Sequence, residues 1–118
     1  MSLSAAAIQA LVARELDGTS DAECRGRLAS LLVEPTFQTL SWEYGALGAT
    51  RLCCIVAQAA DGDLAVVYCE DGFGPTEPWG AVSLTEASMG SDTQWYGSLC
   101  DAAIGAGFCV APPGHEVP

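Results

Sequence analysis

Six cysteines, one histidine and fifteen carboxylates are the residues of this chain that could do chemistry. A cysteine or serine nucleophile needs a base beside it, and the usual base is histidine. The one histidine, His115, lies in the proline-rich tail from Ala111 to Pro118. Pairing it with Cys109 would require that tail to fold back, and nothing in the spacing demands it. A zinc site needs four ligands at compatible intervals. Cys53 and Cys54 are adjacent, so on a strand they point to opposite faces and cannot share one ion. The intervals onward from Cys54 to Cys69 and Cys100 match no zinc pattern. Asp61-Gly62-Asp63 opens like a calcium loop, but Ala65 and Val66 stand where that loop needs an oxygen ligand and a glycine. Gly72-Phe73-Gly74-Pro75 resembles a piece of a phosphate loop, yet no lysine follows and the neighbouring carboxylates would repel phosphate. No metal or cofactor is therefore expected.

Carboxylate pairs are available, and Glu70 and Asp71 with Glu77 or Asp92 would give a hydrolase its acid and base. Fifteen acids in 118 residues create such neighbours by chance, so the pairs do not single out an enzyme. A more distinctive pattern is the interleaving of Phe73, Trp79, Trp95 and Tyr96 with Glu70, Asp71, Glu77 and Asp92. Protein interfaces favour aromatic centres with polar rims. The eight residues are thus the candidate partner-binding edge. The competing reading has Trp79 and Trp95 plugging the core beneath a long loop.

The charge balance agrees with a protein partner. Four arginines and no lysine face fifteen acids, for a net charge of −11. Such a surface repels a nucleic-acid backbone or an anionic membrane, and it attracts a basic protein. No apolar run approaches the roughly 18 residues of a membrane span. The absence of lysine and asparagine suits a GC-rich coding sequence of bacterial or phage type. The first residues lack a basic segment ahead of a long apolar run, so a cytoplasmic chain with reduced thiols is expected.

Positioning these groups falls to a single domain over 1–110 with a flexible tail over 111–118. Ile8, Leu11, Val12 and Leu16 recur at helical spacing, with Ser4 as cap and Gly18 as stop. A second helix opens on the capping box Ser20 to Glu23 and carries Cys24, Leu28, Leu31 and Leu32 until Pro35 ends it. Acidic residues on that helix argue against a helix-turn-helix reader of DNA. A strand is expected over Thr36 to Tyr44, with Leu40, Trp42 and Tyr44 inward.

The centre of the chain is a hairpin, Arg51 to Glu70, turning at Asp61-Gly62. Its register would set Ala57 opposite Val66, Val56 opposite Val67, Ile55 opposite Tyr68, and Cys54 opposite Cys69. The last pair would be placed for a disulfide. Both faces of this hairpin are apolar, so helices on both sides, a second copy or another partner must cover them. Ala81 to Leu84 follows as a short strand, Trp95 to Ile104 as a third helix, and Phe108 to Val110 as a possible last strand. The expected fold is α+β: an N-terminal helical hairpin, a three- to four-stranded antiparallel meander and a C-terminal helix. The function expected is an inhibitor- or immunity-type protein masking a basic partner. A structural or regulatory homodimer formed through the hairpin is the alternative, and a carboxylate hydrolase comes behind it.

Overall fold

The computed structural model describes residues 4–19, 21–42, 48–70, 72–74, 76–90 and 92–110. Helices α1 (Ala5–Asp17) and α2 (Ala22–Leu31) precede strands β1 (Leu32–Ser41), β2 (Thr50–Gln58), β3 (Leu64–Tyr68) and β4 (Trp79–Ser83). A 3-10 turn, Asp92–Gln94, leads into β5 (Trp95–Tyr96), and α3 (Leu99–Gly105) closes the described fold. All strand pairs are antiparallel, in the spatial order β1-β2-β3-β4-β5. This is the expected α+β arrangement with one strand more than the meander anticipated.

Local chemistry explains where the elements begin and end. The Ser4 hydroxyl accepts the Ala7 N–H at 3.2 Å, which caps α1. The cap of α2 is Asp21, whose carboxylate accepts the Glu23 N–H at 3.1 Å; Ser20, the expected cap, lies outside the described residues. Between the helices, the Arg25 guanidinium donates to the Thr19 carbonyl at 2.6 Å and fixes their joint. Leu32 is extended (φ −61°, ψ 140°), so the helix ends one residue early and β1 begins at once. Pro35 has no N–H to donate and its ring would clash with the Leu31 carbonyl, so the helix cannot run through it. That is why the strand starts four residues earlier than the alternation of Leu40 and Trp42 suggested; Tyr44 is not among the described residues. The third helix also starts late. Ser98 accepts the Asp101 N–H at 3.1 Å as its cap, and Trp95 and Tyr96 pair instead with Gly80 and Trp79 on β4. Phe108 to Val110 form no strand: the Phe108 and Cys109 N–H groups donate back to the Ala103 carbonyl, finishing α3 after Gly107 turns at φ 81°.

The hairpin register is as expected only beside the turn. Ala57 lies opposite Val66 and Gln58 opposite Ala65, but Ile55 meets Val67 and Cys54 meets Tyr68. A bulge at Val56 separates the two registers, so Val56 and Ala57 both face the same side. One slip of this kind exchanges the partners of every residue before it. Cys54 consequently does not face Cys69.

The two apolar faces of the sheet carry two separate cores. On one, Cys54, Val56, Val66, Tyr68, Trp79 and Tyr96 pack against Ile8 and Val12 of α1, Leu28 of α2, and Leu99, Ala102 and Ala103 of α3. On the other, Cys53, Ile55, Val67, Cys69 and Val82 lie beneath Met89, Trp95, Trp42, Phe73 and Leu84. All three helices thus share one face, which rules out their splitting across both, one of the alternatives expected. The second face is covered within the chain, because the segment after β4 folds across it and docks on β1: Ser41 N–H donates to Ala87 at 2.8 Å, and Met89 N–H donates to Ser41 at 3.0 Å.

Gly80 makes this cover possible. A Cβ there would sit 2.6 Å from the Trp95 ring. Gly80→Ala is expected to lower stability by about 1–3 kcal/mol through overpacking. Gly26→Ala, in an open position on α2, is expected to raise it by about 0.5–1 kcal/mol. Urea unfolding of the two variants beside the parent checks both signs.

Candidate functional site

The paired strands β4 and β5 place the two tryptophans of the candidate edge, Trp79 and Trp95, on opposite faces. Trp79 turns toward the helices and is 3% exposed, edge-on to Tyr68 with ring centroids 4.7 Å apart. Trp95 turns the other way and is 2% exposed, its indole N–H donating to the Met89 carbonyl at 2.7 Å. Tyr96, opposite Trp79, is buried over Gly105. Phe73 is half-buried between Trp42 and Trp95, at centroid distances of 4.9 and 5.6 Å. Glu70 and Glu77 are exposed. Asp71 and the Asp92 side chain lie outside the described residues. The described ones therefore do not form one aromatic surface. Their aromatics are divided between two cores, and what they leave to solvent is charge.

A different set of acids acts on Tyr68 and on Cys100 in the first turn of α3. The Tyr68 hydroxyl donates to Glu70 Oε1 at 2.5 Å. Burial pushes the phenol up from its ordinary value, and the charges of Glu70, Cys69 and Glu15 add to that. Glu15, at the end of α1, accepts the Leu99 N–H at 2.8 Å and so serves the first turn of α3 from 84 positions away in sequence. Asp101, Asp21 and Glu15 all act on Cys100, whose thiol is raised first by burial and then by these carboxylates. Glu15 thus acts on both Tyr68 and Cys100, joined by Glu70 at the first and by Asp101 and Asp21 at the second. Only Glu70 was marked by the sequence pattern. Asp21 lies between the two residues of the Ser20 to Glu23 capping box, and Glu15 reads as a polar helix position, with nothing local to mark either.

The cysteines sort by face and depth. The disulfide joins Cys24 of α2 to Cys109 beyond α3, with Cα atoms 5.2 Å apart. Cys54 and Cys69 form no disulfide: the bulge brings Cys53, not Cys54, into hydrogen-bonding contact with Cys69. That contact and burial push the Cys53 thiol far up, which keeps it an inert core residue. Cys54 is likewise raised by burial. Cys100 is half-exposed, and its Sγ lies 3.8 Å from the Cys24 Sγ. Because Cys109 is bound in the disulfide, it is not available as the nucleophile of a pair with His115, which is outside the described residues.

Between α1 and β1 lies an open apolar cavity of about 210 Å³, lined by Val12, Ala13, Leu16, Leu32 and Val33. Gln9 is the polar side chain on its wall, too little to orient a specific ligand. Among the described residues no group of three or more His, Cys, Asp or Glu side chains is arranged to hold a metal ion. Comparison with known proteins finds no matching family model, curated protein or solved structure.

Trp79→Ala is expected to destabilise the fold by about 3–5 kcal/mol, as a truncated core aromatic does, while Glu70→Gln stays within about 0.5 kcal/mol. Chemical denaturation distinguishes a core Trp79 from a surface anchor. The raised Tyr68 pKa has a fixed sign for stability: its contribution is complete below the ordinary tyrosine value of 10.0 and is lost as pH rises through the higher folded-state value. An absorbance titration of the native protein should show one tyrosine ionising late, and Glu70→Gln should bring that transition to lower pH.

Proposed function

We propose that this chain is a small acidic protein-binding domain of inhibitor or immunity type, which masks a basic surface on its partner. The observation that carries this reading is the net charge of −11, with Asp17, Glu23, Glu70 and Glu77 exposed on the surface. Since Trp79 and Trp95 serve the cores, recognition rests on electrostatic steering more than on aromatic anchoring. The same charge disfavours direct contact with nucleic acid or an anionic membrane. No helix of the described residues is long and apolar enough to cross a membrane.

A second reading, self-association, is favoured by Phe37 and Leu52. They are 40% and 53% exposed, on the helix-side face of β1 and β2. A homodimer would use this corner and not the hairpin face closed by Met89 and Trp95.

Capture from the source cell lysate at low and at high salt supplies the partner for a quantitative test. Its association rate should fall by about tenfold or more between low and physiological salt. Neutralising the exposed Asp17, Glu23, Glu70 and Glu77 should reduce the low-salt rate while leaving the unfolding midpoint nearly unchanged. A salt-independent rate would refute electrostatic recognition. A mass that doubles with concentration and returns to monomer in Phe37→Glu would instead establish the dimer.

A further inference from the structure

A buried disulfide exchanges only with a thiolate that can reach one of its sulfurs. Cys24 and Cys109 are 2% and 4% exposed, so an external thiol meets neither sulfur in the folded protein. Cys100 is different: it stands half-exposed in the first turn of α3 and touches the Cys24 sulfur at 3.8 Å. Three cysteines from α2, the start of α3 and the segment after α3 therefore meet at one point, two of them oxidised and one reduced.

We propose that Cys24, Cys100 and Cys109 form a thiol–disulfide exchange site, with Cys100 as the entry through which external thiols reach the buried disulfide. In the first step Cys100 gives its proton to solvent, and its thiolate attacks Cys24 Sγ. The Cys24–Cys100 bond forms, the Cys24–Cys109 bond breaks, and Cys109 leaves as a thiolate that takes a proton from solvent. This isomerisation needs no oxidant. In the second step an external thiolate attacks the accessible Cys100 sulfur, forming a mixed disulfide and releasing the Cys24 thiolate. Attack by a second external thiolate on the external sulfur of the mixed disulfide regenerates Cys100 and yields the external disulfide. Two external thiols are oxidised and one protein disulfide is reduced.

The exchange has a structural consequence. In the Cys24–Cys109 form, the segment that carries Phe108 is tied to α2; in the Cys24–Cys100 form the tie moves to the first turn of α3 and that segment loses its covalent anchor. Burial, and after it the carboxylates of Asp101, Asp21 and Glu15, raise the Cys100 thiol, so the exchange quickens as pH rises.

The test uses the full chain with its disulfide formed. Protein is mixed with reduced glutathione under native conditions, quenched in acid, alkylated and weighed at intervals. Cys100→Ser should slow reduction by about tenfold or more, since only the unassisted route remains. A rate equal to or faster than the parent's overturns the proposal. Cys109→Ser provides an independent arm. Oxidised with glutathione disulfide while folded, it should form the Cys24–Cys100 bond, seen as one cross-linked peptide pair. Persistence of two glutathione adducts or two free thiols, with no cross-link, also overturns it.

Discussion

A β2–β3 hairpin with apolar side chains on both faces must be covered twice, and this chain has only enough residues for one domain to do it. The fold is the answer to that constraint. Three short helices cover one face, with Ile8, Val12, Leu28, Leu99 and Ala102 supplying the contacts. No helix remains for the other. It is closed by an irregular segment whose apolar contributions are Met89, Trp95 and Leu84, together with Phe73 and Trp42. Irregular backbone over a core must satisfy its polar groups. Ser41 therefore binds Ala87 and Met89, and the Trp95 indole binds the Met89 carbonyl. Asp63 performs the same service at the opposite end, accepting from Ser83 and Thr85 and so tying the hairpin turn to the exit of β4.

This double demand also decides which residues are free for function. A small domain with two cores spends its large aromatics on packing, and Trp79, Trp95 and Tyr96 are all consumed that way. Interfaces built on a desolvated aromatic anchor need such a residue at the surface. Here the surface near α3 offers carboxylates instead. Part of their placement follows from the helical packing: the end of α1 meets the start of α3, where Glu15 accepts the Leu99 N–H, while Asp21 caps α2 locally.

What the sequence made legible divides along the range of the forces involved. Caps, stops and the hairpin turn depend on neighbours in sequence, and Ser4, Gly18 and Gly62 mark them plainly. The α+β order follows from those marks and from apolar periodicity. The bulge at Val56 does not: Ile55-Val56-Ala57 is uniformly apolar, so slipping by one costs nothing that alternation could reveal. That single residue is why Cys54 was matched with Cys69, and why the contact belongs to Cys53. The Cys24–Cys109 bond was equally hidden, since it spans 85 positions and depends on α2 packing beside the end of α3. Trp95 and Tyr96 fit a helical stripe as well as a strand, and pairing with β4 won because Gly80 leaves room for an indole.

The same long-range packing makes the C-terminal part of the fold the region where chemistry and stability meet. The described end of α3 has no strand partner of its own, and it is held by Phe108 in the helix-side core and by the bond from Cys109 to Cys24. Closing a loop of 85 positions restricts the unfolded chain strongly, by about 3–5 kcal/mol in the chain-entropy account. For a domain whose total stability is on the order of 5–15 kcal/mol, that is a large share resting on one bond. A half-exposed thiol in contact with that bond is thus placed where a change of one covalent partner alters how the end of α3 is anchored. The acids around it oppose thiolate formation, so the geometry brings Cys100 within reach of Cys24 while the charge restrains it.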